Sequence, residues 1–559
     1  MMPLSAAALC DEAVAAARSG DGPRAVLLFD RALAAAPRDA SVLSSAGTFF
    51  SQRGDHAHAI TLFERAVAAD PQAAEPLVNL AILLTGAGRA GEALDFLRPR
   101  QRQLDGSARY WSVRANAERS SGDKRAALAS YRRAAELDST NPRAIEGRAR
   151  LALETGLDAR EYYQLAIAAA PNSPTAIMGY GQALEAEGEA AGARAIAERL
   201  VDQSPGWIDG LEWLAQLRWG AGERDEFTSH YQQAARRAPT AAVYASWCHM
   251  LQGVDRFAEA AEVAATARTA LGDSPPLALL EANHASEAGD DERAAAIFAR
   301  LPMESSEKWL SEARHCLRTA EAEQAEQLTA RVLAESPDSV SAWALRDIAW
   351  RLLGDPRHQW LHGQEGLVRP LTLEIDDHQL AAAVAFLDAL HDKSTMPVGQ
   401  SVRDGSQTRG GLLDRHEPEV RVIEERFQEA VEHYRQGLPP ADESHPLLRY
   451  RNIQWRFAGS WSIRVFGGGR HREHIHSKGL VSSAAYFVVP PATDADPQAG
   501  WLELGRPPSD LRIELPPLFS FAPIPGTCAL FPSTLFHGTR PFPEGKRMTV
   551  AVDVHAASA

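Results

Sequence analysis

Cysteine is scarce in this chain. Four residues in 559, Cys10, Cys248, Cys316 and Cys528, lie far apart and form no C-x-x-C pair. That spacing argues against a disulfide framework and a cysteine zinc site, and it suits a reducing, cytoplasmic compartment. Long apolar runs are missing too: none reaches the roughly 18 residues that a membrane span requires. Positive charge is in deficit, with 58 Lys and Arg against 73 Asp and Glu and a net charge of −15. Such a chain is poorly suited to a nucleic-acid backbone or an anionic membrane. The first residues carry no basic region ahead of their short apolar stretch, and two acids, Asp11 and Glu12, follow it at once. They read as a first helix rather than a secretory signal. What is present is ordinary: 45% hydrophobic and 23% charged residues, the balance of a globular protein. The length accommodates a long repeat array and a further domain.

Residues 1–360 repeat themselves. Helix-ending prolines stand at Pro37, Pro71, Pro171, Pro205, Pro239 and Pro337, and the steps 37→71, 171→205 and 205→239 are each 34 residues. Asp105, Asp138 and Asp273 keep the same frame, and one unit near Leu301 is shorter. About ten such units fit into this region. Within the unit ending at Pro71, Gly47 and Phe50 occupy one helix, Gly54 the turn, and Ala59, Phe63 and Ala66 the next helix; Gly147, Ala159, Tyr163 and Ala166 repeat the pattern. Small residues let two helices approach closely while aromatics fill the groove between them. The pattern resembles the tetratricopeptide family. That likeness implies an all-α superhelical solenoid whose concave face binds a peptide or protein partner; a spacer or dimerisation element is the alternative.

Residues 361–559 are different material. RPLTLEI (369–375) is extended after a proline, 378–391 reads as a helix, and 417–436 as a second helix with Val420, Ile423, Phe427, Val431 and Tyr434 on one stripe. Between them GQSVRDGSQTRGG (399–411) reads as a polar loop, a candidate substrate lid through Gln400, Arg403, Gln407 and Thr408. From 450 onward short strands alternate with Gly- and Pro-rich turns: NIQWRF, WSIRVF, SAAYFVV, GWLEL, LRIEL, CALFP and RMTVAVDV. This β core, 450–559, suggests a sandwich or barrel.

The chemistry-bearing residues lie in that core. His471, His474 and His476 stand together in GGGRHREHIHSKG, and His537 follows in LFPSTLFHGTRPF. Residues two apart on a strand share a face, so His474 and His476 can present two imidazoles to one point, with His537 closing the set from a neighbouring strand. Open positions would remain for a co-substrate and dioxygen. Ten residues after His537 comes Arg547, which shares strand parity with Thr549 and should face inward, while Val550, Val552 and Val554 face the packed outer side. A guanidinium fork suits bidentate capture of a carboxylate.

The segment resembles the iron(II)- and 2-oxoglutarate-dependent oxygenases, whose H-x-(D/E), distal His and later Arg with a small hydroxyl residue map onto His474, position 476, His537, Arg547 and Thr549. The likeness is closest to a branch reading H-x-H, then S-x-x-Y, then L-F-P-S-x-x-x-H: here His474-Ile-His476, Ser483-Ala-Ala-Tyr486 and 530–537. Members of that branch are often fused to tetratricopeptide arrays. A more distant similarity is to aspartyl/asparaginyl β-hydroxylases. The resemblance implies a double-stranded β-helix (jelly-roll) domain with flanking helices, Fe(II) as cofactor on His474, His476 and His537, 2-oxoglutarate and O2 as co-substrates, and Arg547, Thr549 and Tyr486 about the co-substrate. Position 476 departs from it: His stands where the wider superfamily has a carboxylate, either as third ligand or swung away. The function implied is a dioxygenase that hydroxylates a protein or peptide recruited by the repeats. Two alternatives stay open: a repeat scaffold with a degenerate oxygenase domain, and a three-histidine dioxygenase without 2-oxoglutarate. A purely recruiting array also predicts that 361–559 alone still binds metal and co-substrate.

Overall fold

In the computed structural model, residues 4–394, 397–492 and 496–556 are described. Up to Leu353 they form paired helices, beginning with Ala6–Arg18 and Gly22–Ala35. The pairing has a backbone signature. Within each pair the turn contains a residue of positive φ, at Gly20, Gly54, Gly88, Gly122, Gly156, Gly188 and Gly222, then Asp255, Gly289, Ala320 and Gly354. Glycine ends a helix there because only it enters the left-handed region without penalty. At several turns the next residue is Asp, and Asp21, Asp55, Asp123 and Asp290 each accept a main-chain N–H to cap the following helix.

Two compact bodies divide the chain: residues up to Leu153 with Leu157–Gly179, and Glu154–Gly156 with Tyr180 onward. In the first, Phe29, Phe49, Phe63, Leu80 and Tyr110 are buried in one core. Glycine is required at two helix crossings: a Cβ on Gly147 would come 2.3 Å from the Tyr131 ring, and one on Gly179 2.1 Å from the Tyr163 ring.

The second body contains the later repeats and an antiparallel β domain. Its strands are β1 (Arg369–Thr372), β2 (Val402–Gln407), β3 (Trp455–His471), β4 (Val481–Val488), β5 (Leu502–Leu504), β6 (Phe519–Phe521), β7 (Thr527–Pro532), β8 (His537–Thr539) and β9 (Lys546–Ala556). They form a six-stranded sheet in the order β1-β7-β4-β9-β3-β2 and a three-stranded sheet β6-β5-β8. This antiparallel architecture, with its crossing connections, is that of a jelly roll. Val481, Val550, Val552 and Val554 pack the large sheet against the helices Asp377–Asp392 and Pro418–Gln436, through Leu387, Val420, Ile423 and Phe427. Tyr486, Leu502, Leu504, Ala529 and Phe531 form a separate core on the other side. Pro370 is tolerated because β1 is an edge strand.

Three expectations need correction. NIQWRF and WSIRVF are one continuous strand, β3, with a bulge between Phe457 and Gly459. LRIEL is not a strand: Leu511 ends a 3-10 turn, Arg512 takes φ 57°, and Leu511, Ile513 and Leu515 pack on Trp309, Trp343 and Trp350 of the last repeats. Its alternation reflects packing against helices, not sheet pairing. The expected loop at 399–411 contains β2, because Val402 packs on Ile463 and Val465 and its backbone pairs with β3.

Candidate metal centre

His537 opens β8, where it pairs with Leu504, and it is 4% exposed. Its main chain exchanges two 3.0 Å hydrogen bonds with His474, which forms an isolated bridge. His474 and His476 therefore lie beyond the end of β3 rather than on a regular strand. They nevertheless converge: candidate ligand atoms of His474, His476 and His537 lie within 4.8 Å of one another. His471, the last residue of β3, is outside this cluster; its Nε2 is 2.6 Å from Ser401 Oγ and its ring stands 4.5 Å from that of His474.

The protonation pattern follows from the partners. His474 Nδ1 faces the Arg472 carbonyl at 2.8 Å, His537 Nδ1 faces the Leu535 carbonyl at 3.1 Å, and His476 Nδ1 faces the Asp553 carboxylate. These oxygens only accept, so each Nδ1 donates, and in the neutral rings of His474 and His537 this leaves Nε2 bare. Burial holds His474 neutral, lowering it to about 3, and pushes His537 and His471 well below the usual histidine range. His474 Nε2 and His476 Nε2 then face each other at 3.0 Å. That approach requires a cation between the two nitrogens, either a proton or a metal ion bound by both. Imidazole nitrogens about 2.1 Å from one ion and at right angles lie about 3.0 Å apart. The donor set is therefore suited to a divalent transition metal.

A second feature lies along β9. Arg547 is 2% exposed, and among the described residues no carboxylate pairs with it; its Nε has no hydrogen-bond partner, and the Tyr486 hydroxyl is the polar group beside the guanidinium. The guanidinium lies 5.4 Å from the Tyr486 ring centroid, and Tyr486 pairs with Thr549 across β4 and β9. Burial draws Arg547 below its ordinary value and raises Tyr486 to about 12. A buried guanidinium without a counter-ion is costly, so this pocket suits an anionic group such as a carboxylate.

A cleft of about 590 Å3 opens on His471, His474 and His476. Trp461, Ile475 and Glu473 line it from the β domain, and His249, Gln252 and Phe257 from the repeats of the same body. Gln400, Arg403 and Gln407 also line it. Thr408 does not: it is buried, its Oγ1 accepting the Ser462 N–H. Arg403 is tied to Asp255 at 3.0 Å, and Arg472 pairs with the same carboxylate. Arg464 of β3 is bonded to Asp388 and Asp392 and does not line this cleft. Asp553 is the residue that sequence reasoning missed. The parity that turns Arg547 and Thr549 inward includes it, but as a strand end it attracted no role.

Residues 459–553 match the family described as "Putative 2OG-Fe(II) oxygenase". Tetratricopeptide-repeat families match 51–117, and 112–174 with 146–206. Tetratricopeptide repeats in the first part of the chain are thus joined to a segment of the putative 2OG-Fe(II) oxygenase family at 459–553. That oxygenase family implies Fe(II) and 2-oxoglutarate, and the histidine cluster and the Arg547 pocket fit both. Among solved structures, PilF of Pseudomonas aeruginosa is 20% identical, covering 37% of this chain and 94% of its own, with a TM-score of 0.31. A tetratricopeptide repeat protein from Parabacteroides merdae is 18% identical, covering 43% and 97%, at 0.33. A thermophilic repeat protein of Thermus thermophilus is 19% identical, covering 34% and 99%, at 0.28. A search of curated proteins returns no match. Among the described residues, no helix is long and apolar enough to cross a membrane.

Proposed function

We propose that the protein is an iron(II)- and 2-oxoglutarate-dependent dioxygenase that hydroxylates a protein or peptide side chain in the cytoplasm. Residues 361–559 form the catalytic domain and 1–360 the repeat array. His474, His476 and His537 hold the metal; Arg547, with Tyr486 and Thr549, holds the far carboxylate of 2-oxoglutarate. The observation that carries this reading is the combination of three converging imidazoles with a buried guanidinium lacking a carboxylate partner. The bound iron and co-substrate supply the oxidising chemistry, consuming dioxygen and releasing succinate and carbon dioxide as a C–H bond becomes C–OH. The protein's own residues bind and orient. The carbonyls of Arg472 and Leu535 fix two rings through their Nδ1–H groups, and the burial of Arg547 keeps water from its carboxylate partner. The cleft admits the substrate past Trp461 and Gln407, with residues of the repeats as its opposite wall. Repeats of this class generally mediate protein–protein interaction, which favours a macromolecular substrate. The absence of a counter-ion beside Arg547 favours this reading over a three-histidine dioxygenase without 2-oxoglutarate, which would leave that charge without a function.

Anaerobic titration with Fe(II) and then 2-oxoglutarate, followed by visible absorption, is the test. A weak charge-transfer band appearing only with both is expected. Its absence in metal-loaded protein would contradict the assignment.

A further inference from the structure

The three imidazoles are not held alike. His474 and His537 give their Nδ1–H to neutral main-chain carbonyls, whereas His476 gives its own to the carboxylate of Asp553. Asp553 stands on β9, six residues beyond Arg547, opposite Ser482 of β4 and Gly459 of β3. Its side chain is 16% exposed, and among the described residues the imidazole of His476 is its one ion-pair partner. Ser482 Oγ lies 3.2 Å from His476 Nδ1, 3.5 Å from Asp553 Oδ1 and 2.8 Å from Ser533 Oγ, completing a polar cluster without a Lys or Arg.

Orienting an imidazole does not require a charge. The carbonyls of Arg472 and Leu535 do it for the neighbouring rings, and an amide side chain at 553 would do it for His476. A carboxylate there adds negative charge one ring away from the point where the Nε2 atoms meet. In the usual two-histidine, one-carboxylate arrangement the carboxylate ligates directly; here the ligand position is occupied by His476.

We propose that Asp553 is a positioning residue that supplies through His476 the negative charge a ligating carboxylate would otherwise bring to the metal. The inference rests on the metal reading above. A carboxylate on the far nitrogen fixes the ring and makes the near nitrogen a stronger donor, and loss of such a partner typically costs 10–100-fold in metal affinity.

The test uses the full chain and Co(II) as probe, with affinity read by chelator competition and the metal-free thermal midpoint read in parallel. Asp553→Asn keeps the shape and an acceptor oxygen but removes the charge. It is expected to weaken Co(II) binding roughly 10–100-fold with the metal-free midpoint unchanged. Adding His476→Asp to Asp553→Asn returns the charge directly to the metal and should recover the lost affinity. Wild-type affinity in Asp553→Asn would overturn the proposal, as would a failure of the double variant to recover affinity while remaining folded. His474→Ala and His537→Ala separate the two readings. If they also bind Co(II) as wild type does, the metal centre itself is misassigned. If they lose it while Asp553→Asn keeps it, only the role of Asp553 falls.

Discussion

At the scale of single residues, the unpaired guanidinium is the sharpest test. Removing one partner of a buried charged pair costs about 3–5 kcal/mol, and each decade of affinity is about 1.4 kcal/mol. Arg547→Ala should therefore weaken 2-oxoglutarate binding at least about 100-fold while leaving metal affinity intact. Calorimetry on the metal-loaded protein reads both, and equal co-substrate affinity in variant and wild type would favour the dioxygenase without 2-oxoglutarate. Arg547 and the histidines were singled out in the sequence by strand parity and by an H-x-H with a later His, and Tyr486 through the resemblance of its S-x-x-Y motif. Asp553 and Ser482 were not, because their roles arise from pairing β4 with β9, two segments about 70 residues apart. His474 and His476 do not owe their convergence to a shared strand face. They converge through a bridge to His537, not through the regular alternation of a strand.

At the scale of elements, the repeat turn at Asp255 stands out. Glycine occupies this left-handed position in most units, yet here an aspartate adopts φ 67°. The strain is on the order of 1 kcal/mol. Its carboxylate pairs with Arg403 of β2 and with Arg472, whose carbonyl holds His474. Nearby, Gly399 N–H reaches the Gly253 carbonyl at 3.3 Å, and Val398 N–H donates to Gln216 at 2.7 Å. The segment read from sequence as a polar loop is thus fastened to the repeats, a fact invisible in local composition because its partners lie 146 to 182 residues upstream. Asp255→Gly should relieve the backbone while releasing both arginines. Part-exposed ion pairs contribute little, so global stability should stay within about 1 kcal/mol of wild type. Hydrogen exchange across 399–407 should quicken, and unchanged protection there would show that the carboxylate does not fasten the segment. Helices and strands with strong periodicity were readable; β2 and the LRIEL segment were misread because tertiary contacts decided their state.

At the scale of the whole molecule, two consequences follow from what the second body buries. His230, His391 and His445 are each buried, and burial holds each near a pKa of about 4. Between about pH 6.5 and 4 the unfolded chain takes up protons that these native rings refuse, so stability rises with pH across that window and falls on acidification. Thermal midpoints measured from pH 7 to pH 4.5 should decline, and a flat profile would contradict the burial of neutral rings. The second consequence concerns which part of the chain folds alone. A purely recruiting array would leave 361–559 self-sufficient. Instead Leu511 and Phe536 share one core with Trp309, Trp343 and Trp350 of the last repeats, while Arg318 donates to Asp510 at 2.7 Å and Arg449 pairs with Asp338 at 2.9 Å. Cutting at 361 exposes that apolar face, strands Asp510 without its arginines and strips one wall from the cleft. Each exposed large apolar side chain forfeits roughly 1.5–3 kcal/mol, and several such losses rival the stability of a domain. A fragment of 172–559, which keeps the helix Pro174–Ala186 and every contact just named, should unfold cooperatively and bind Fe(II) as the full chain does. The fragment 361–559 should aggregate or unfold without a cooperative transition. Calorimetric unfolding of the two fragments beside the full chain decides the matter: a sharp transition and full metal affinity in 361–559 would show that the repeats are an appendage rather than part of the oxygenase core.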